Sequence, residues 1–327
     1  SSTLYGTGAA TGVINITLKK AGKKAIAGNA YMNMGTQTAA KNSNYSINDF
    51  NQGFAVNGSA EKVNYFASLN STETKGISEA KSPDENIEFE DDKFSRINSL
   101  VKIGFTPTKK LSLDFFANYD RMKNDFDAGS FADDLENYSL SEQYRIGFSP
   151  KYKYNKGEFV INSGANLINR DIFSYGSLFK AKSRSVNVDA FNKYEIASEL
   201  FVVTGTQFQF HEMSNESQYD AITKDFAKFN MVDPYVTAVY NSDFGLNLNV
   251  GARFNIHSKY GNNFVYNFNP SYTFSESLKV LASYSTAFIT PSLYQLYSPY
   301  GDLNLSAEKD ATVEAGFEVT LADKKLV

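Results

Sequence analysis

Cysteine is absent from the 327 residues, which excludes a disulfide framework, a thiol nucleophile and thiolate metal sites. Tryptophan is absent as well, and histidine occurs only twice. No window of about eighteen apolar residues occurs, so a membrane-spanning helix is excluded. Basic excess is also missing: 32 Lys and Arg stand against 36 Asp and Glu, and the lysines are scattered singly. That balance excludes a nucleic-acid footprint. No basic and then apolar leader precedes Ser1-Ser2-Thr3-Leu4, so a leader was either removed with a longer N-terminal part or never present.

Aromatic residues are abundant: 21 Tyr and 27 Phe make up the 15% aromatic content, yet mean hydropathy is −0.37. A transmembrane β-barrel reconciles the two, because only every second strand residue meets lipid while aromatics gather at the interfaces. Period-2 alternation supports it. Leu246, Leu248, Val250, Ala252, Phe254 and Ile256 alternate with Asn247, Asn249, Gly251, Arg253, Asn255 and His257, and Leu111 to Asp120 alternates in the same way. With comparable runs at 24–35, 48–57, 63–70, 94–105, 138–154, 159–170, 184–194, 200–211, 229–241, 264–274, 278–287 and 310–321, fourteen strands are predicted.

Short polar turns at 57–62, 106–110, 155–158, 195–199, 241–244, 275–277 and 322–325 alternate with longer loops at 36–48, 71–93, 121–137, 171–183, 212–228, 257–263 and 287–309. Sorting of this kind predicts an all-β, antiparallel, up-and-down transmembrane barrel with short turns on the periplasmic side. Tyr119, Tyr152, Tyr194, Phe210 and Phe274 fall near run ends, where aromatic girdles are expected.

Residues 1–20 contain Leu4-Tyr5-Gly6 and then Gly12-Val13-Ile14-Asn15. This wording resembles the end of the plug domain of TonB-dependent outer-membrane receptors. Gly6, Gly8 and Gly12 permit tight turns, and Ile14, Ile16 and Leu18 form a short strand. A second stretch, Ala287 to Tyr297 followed by Tyr300-Gly301-Asp302-Leu303-Asn304-Leu305, is similar to a box in an extracellular loop of the same receptors. Ile289 departs from the family's Arg there, and Asp302-Leu303 from its Asn-Pro. The resemblance implies the end of a plug at 1–22, then a partial barrel at 23–327 holding about fourteen of the family's 22 strands. The first and last of these should be unpaired edges.

The resemblance further implies a multi-pass protein of the bacterial outer membrane that performs active transport and is not an enzyme. Its partners would be the TonB-ExbB-ExbD complex, engaged through a missing N-terminal part, with outer-membrane lipid and lipopolysaccharide around the barrel. The wording is most similar to the cobalamin transporters, so a corrinoid is the first ligand expected, a ferric siderophore or other metal chelate the second, and a passive channel the third. No nucleophile and base are paired in the sequence, and His211 and His257 read as loop or lumen residues.

No cofactor is required by this reading, but calcium is a candidate. Two neighbouring acidic loops carry enough oxygen for the six to eight ligands that calcium takes. In the cobalamin transporters the corresponding loops bind it, and Asp91, Asp92, Asp125 and Asp127 are the closest positional matches. Simple solvation of these carboxylates, or contact with ions that bridge lipopolysaccharide, is the competing reading. Tyr294, Tyr297 and Tyr300 would either stack on a planar or corrinoid ligand or pack their loop on itself.

Overall fold

The computed structural model describes residues 3, 6, 22, 24–37, 46–84 and 86–320. They form one antiparallel sheet in which successive strands are neighbours: β1 (Ala27–Gly35), β2 (Asp49–Ala60), β3 (Val63–Thr74), β4 (Phe94–Thr108), β5 (Leu111–Asp125), β6 (Tyr138–Tyr154), β7 (Gly157–Ser174), β8 (Ser177–Ala197), β9 (Leu200–Glu216), β11 (Lys228–Asn241), β12 (Leu246–His257), β13 (Gly261–Ser275), β14 (Leu278–Ile289) and β15 (Glu308–Val319). The two-residue β10 (Ala221–Ile222) pairs only with β9. All fourteen expected strands are present, and β10 is an addition. The sheet does not close, because among the described residues β1 and β15 each pair on one side only.

Register shows why the alternation matters. Leu69 lies beside Phe54 and Ser99, Phe115 beside Ile103 and Phe148, and Val250 beside Ala238 and Phe268. One face of the sheet is therefore a continuous apolar band. The opposite face carries Asn70, Asn98, Asn118, Asn166, Asn187, Gln207, Asp233, Arg253 and Asn267, which suits a wet lumen. Close approach across the lumen wall uses glycine: the Phe116 ring lies where a side chain on Gly147 would stand.

Two-residue turns join β2 to β3, β4 to β5, β6 to β7, β8 to β9 and β13 to β14, and four residues join β11 to β12. Tyr152, Tyr194 and Phe274 sit at this short-turn end, as expected of a girdle, and Tyr154 stacks on Tyr194 at 6.4 Å. Tyr119 and Phe210 do not: their strands run six residues further, to Asp125 and Glu216.

Two expected long loops are tight turns. The stretch 171–183 is strand except for Tyr175 and Gly176, and 257–263 contains only the three-residue turn 258–260. The physical reason is length. β7 and β8 have 18 and 21 residues, against the roughly 9–11 a tilted span needs, so their outer halves stand in water. There polar and apolar residues mix on both faces, as in Asp171, Ile172, Phe173 and Ser174, so the alternation is lost and the composition looks like a loop. Of the expected plug tail at 1–22, only Thr3, Gly6 and Gly22 are described; Leu4, Tyr5, Gly12, Val13, Ile14 and Asn15 lie outside the described residues, as do 38–45 and the turn at 322–325.

Candidate functional site

The long loop after β14 folds inward over the open mouth. Ala287 to Ile289 complete the strand, and a single helical turn, α1 (Leu293–Tyr297), follows. Ser292 caps it with a reciprocal arrangement: its Oγ accepts from the Gln295 N–H, and Gln295 Oε1 accepts from the Ser292 N–H at 2.8 Å. Leu293 and Leu296 are buried beneath the turn. Tyr297 meets the Phe226 ring edge-on at 5.0 Å and carries the Lys259 ammonium 5.0 Å from its ring centre, while the Tyr260 hydroxyl donates to the Leu305 carbonyl at 3.1 Å.

Beneath α1 lies a cavity of about 410 Å³, lined by Ile168 and Arg170 of β7, Ala181, Lys182 and Ser183 of β8, His211, Glu212 and Met213 of β9, Phe229 of β11, and Ser292 to Tyr294. Arg170 stands on the lumen face beside Ala181 and has no ion-pair partner among the described residues; Lys182 stands on the opposite face, as do Arg184 and Glu212, which pair at 3.0 Å. Apolar walls with an unpaired cation suit a bulky anion. A ladder of rings closes one side: His211 lies 4.8 Å from Phe229, Phe229 4.7 Å from His257, and His257 5.2 Å from Tyr260. His257 Nδ1 accepts the Lys259 and Tyr260 backbone N–H groups, so in the neutral ring the proton sits on Nε2. Of the three expected tyrosines, only Tyr294 reaches the cavity. Tyr297 packs its loop against the neighbouring loops through Phe226 and Lys259, and Tyr300 is 92% exposed.

A second cluster forms where the loop after β3 (75–93) meets the loop after β5 (126–137). Asp127 Oδ2 accepts from the Ser78 hydroxyl at 2.9 Å and the Ala80 N–H at 2.7 Å; Asp92 Oδ2 accepts from the Glu79 N–H at 2.8 Å. The remaining Oδ1 atoms of Asp92, Asp127 and Asp133 are buried without a partner. Burial pushes the Asp92 carboxyl up to about 6, against the Glu79 hydrogen bond and reinforced by the charge of Asp127. Burial also acts on Asp127, but the bonds from Ala80 and Ser78 outweigh it and hold that carboxyl below the usual range.

The four expected calcium ligands are thus divided. Asp92 and Asp127 come together, while Asp91 pairs with Lys75 at 2.6 Å and Asp125, the last residue of β5 and not a loop residue, pairs with Lys123 at 2.9 Å. Among the described residues no three carboxylates or imidazoles converge in a way that holds a metal ion. The third carboxylate at the junction is Asp133, which the run of acidic residues contains but does not mark out. The junction is tied further by the Lys81 N–H to the Ser130 carbonyl and by the Tyr175 hydroxyl, at the tip of the β7–β8 hairpin, to the Ala128 carbonyl at 2.6 Å.

Residues 27–326 match the family model described as TonB dependent receptor-like, beta-barrel. The chain belongs to that family. As a TonB-dependent receptor barrel it is a protein of the outer membrane, crossing it with strands. Its fold is similar to the ferric enterobactin receptor PfeA of Pseudomonas aeruginosa, solved as a Q482A mutant in complex with enterobactin (TM-score 0.77, 17% identity, 97% of this chain and 55% of that one). It is similar also to the siderophore receptor PirA of Acinetobacter baumannii (TM-score 0.75, 13% identity, 98% and 54%) and to PirA of Pseudomonas aeruginosa (0.72, 17%, 98% and 57%). The chain spans little more than half the length of these receptors.

On the lumen wall of this TonB-dependent receptor barrel, below the cavity, the Arg253 side chain is wholly buried and bonds through Nε to Asp233 Oδ2 at 3.2 Å. Nη2 bonds Gln207, and Nη1 donates to the Thr3 carbonyl at 3.3 Å. The guanidinium stacks 5.0 Å from the Tyr235 ring, whose hydroxyl donates to Asp189 at 2.9 Å. No motif marks Arg253 beyond its place on the polar face of β12.

Proposed function

We propose that the intact protein is an energised uptake receptor for a negatively charged metal chelate, of the ferric siderophore kind. The supporting observation is the cavity under α1, where Arg170 presents unpaired positive charge beside apolar walls. A corrinoid, the ligand favoured by the loop wording, has less need of a free cation; it remains the alternative. The names of PfeA and PirA agree with the chelate reading. Residues 1–22 are read as the end of a plug, and energy would come from TonB-ExbB-ExbD acting on the part upstream. Transport needs no chemistry on the ligand, so no catalytic group is assigned.

In the full-length receptor, a ferric tris-catecholate should bind more tightly than cyanocobalamin. Removing one charge-assisted contact costs about 1.5–3 kcal/mol, so Arg170→Ala should weaken binding of the ferric chelate about tenfold or more, while Lys182→Ala, on the other face of the sheet, should change it little. Saturable binding of cyanocobalamin that ignores Arg170→Ala would replace the chelate by the corrinoid.

Calcium is proposed as a loop-ordering ion at the Asp92–Asp127–Asp133 junction. The three buried, unpartnered carboxylate oxygens support this reading, and the absence of a converged set among the described residues means that the loops would have to close further around the ion.

A further inference from the structure

We propose that the wall strip of β11, β12 and β13 centred on Arg253 is a fixed seat for the N-terminal segment, one that keeps Thr3 and Gly6 against the barrel while transport proceeds. It rests on the uptake reading above.

Three features of the strip carry the inference. The guanidinium uses its planar fork in three directions at once: toward Asp233 on its own wall, toward Gln207 on β9, and toward the Thr3 carbonyl. With no exposed surface on that side chain, withdrawal of Thr3 would leave a buried charged N–H without an acceptor, an arrangement that buried cations strongly resist. The wall is also cut to receive the segment. A side chain on Gly251 would stand 2.5 Å from Asn267 Oδ1 and 3.0 Å from Thr3 Oγ1, so this glycine makes room for the Thr3 hydroxyl to bond Asn267. From the other side Gly6, at φ +90°, lies flat against Gln207 and the guanidinium, where a side chain would be 2.9 Å from Gln207 Oε1.

The third feature is surplus polarity. Around Arg253 the same face holds Asp233 Oδ1, Thr237 Oγ1 and the Asn255 amide, all buried; apart from the contact of Asn255 with Asp233 they have no partner among the described residues. Two-sided hydrogen-bonding capacity of this kind matches a backbone, which offers N–H and C=O groups alternately, better than it matches an apolar partner. Arg253 acts here as a positioning residue: it holds the segment and touches no ligand.

These 327 residues hold no cysteine, so once any cysteine elsewhere in the full-length receptor is replaced, a single engineered pair can be read without background. In the full-length receptor in outer membranes, Thr3→Cys with Asn267→Cys should form a disulfide on mild oxidation. Ligand binding and energised uptake should be the same before and after oxidation. Uptake lost on oxidation and recovered on reduction would overturn the proposal, since the segment would then have to leave the wall. Failure of the disulfide to form in a barrel that shows normal heat-modifiable migration would overturn it as well. Arg253→Gln, and independently Gly251→Val, should lower the cross-link yield several-fold in barrels that still assemble; an unchanged yield in both would remove Arg253 and the glycine gap from the seat. If the parent receptor takes up no ligand, the uptake reading fails, while cross-link yield still reports on the seat.

Discussion

At the scale of single residues, Asp92 shows how position outweighs residue type. The acidic run from Glu88 to Asp92 is obvious in the sequence, but the carboxylate whose properties change most is the one that the fold buries beside Asp127. Its folded value is raised from 3.8 to about 6, so the folded junction binds a proton more tightly than the unfolded chain. The stabilisation is full below the unfolded value and is lost as pH rises through about 6. Hydrogen exchange of the Glu79 and Ala80 amides, which donate to Asp92 and Asp127, should therefore be slowest near the lower end of that window, after correction for intrinsic rates. Asp92→Asn should abolish the pH dependence. Calcium, under the proposal above, should restore protection at neutral pH; equal protection at both ends of the window in the parent would sink the raised carboxyl. Lys123 meets Asp125 because the two stand two residues apart on one face of β5, which only the strand's extension past residue 121 reveals; Lys75, which takes Asp91 out of the cluster, has no local mark in the sequence.

At the scale of elements, the strands were legible wherever one face meets lipid. Leu69 and Ser68 are neighbours on β3, yet Leu69 belongs to the apolar band, 52% exposed, and Ser68 to the lumen face. Leu69→Arg should destabilise the barrel by about 2–4 kcal/mol in a lipid-based unfolding titration, and Ser68→Arg by much less. Similar losses for both would mean that the faces are assigned wrongly. Alternation fades where strands leave the bilayer, and that is why the stretch 171–183, with Asp171, Lys180 and Lys182, looks like a loop in the sequence. It also fails for α1. One helical turn is too short to express a helical period, and its stability comes from the Ser292–Gln295 cap and from Leu293 and Leu296 packed below it.

At the scale of the whole molecule, the expected unpaired edges are present among the described residues, where β1 and β15 each offer one free row of backbone donors and acceptors. The 327-residue chain, refolded by itself in detergent, should associate through these edges, and chemical cross-linking should give dimers and larger species. The full-length receptor under the same conditions should run as a monomer. A monodisperse monomer of the 327-residue chain would mean that the edges find each other or are otherwise covered.

By itself the sequence determined that this is a lipid-facing β-meander. A strand carries its side chains on alternate faces, so a two-environment sheet writes its period directly into the order of residues. Family wording at the two ends added the receptor reading. Only the tertiary structure decided which side chains share a site. Arg170, Ala181, His211 and Tyr294 come from four separate segments, and Arg253 and Thr3 lie 250 residues apart. Their meeting depends on strand register and on loops folding back over the mouth, and neither leaves a local pattern in the sequence.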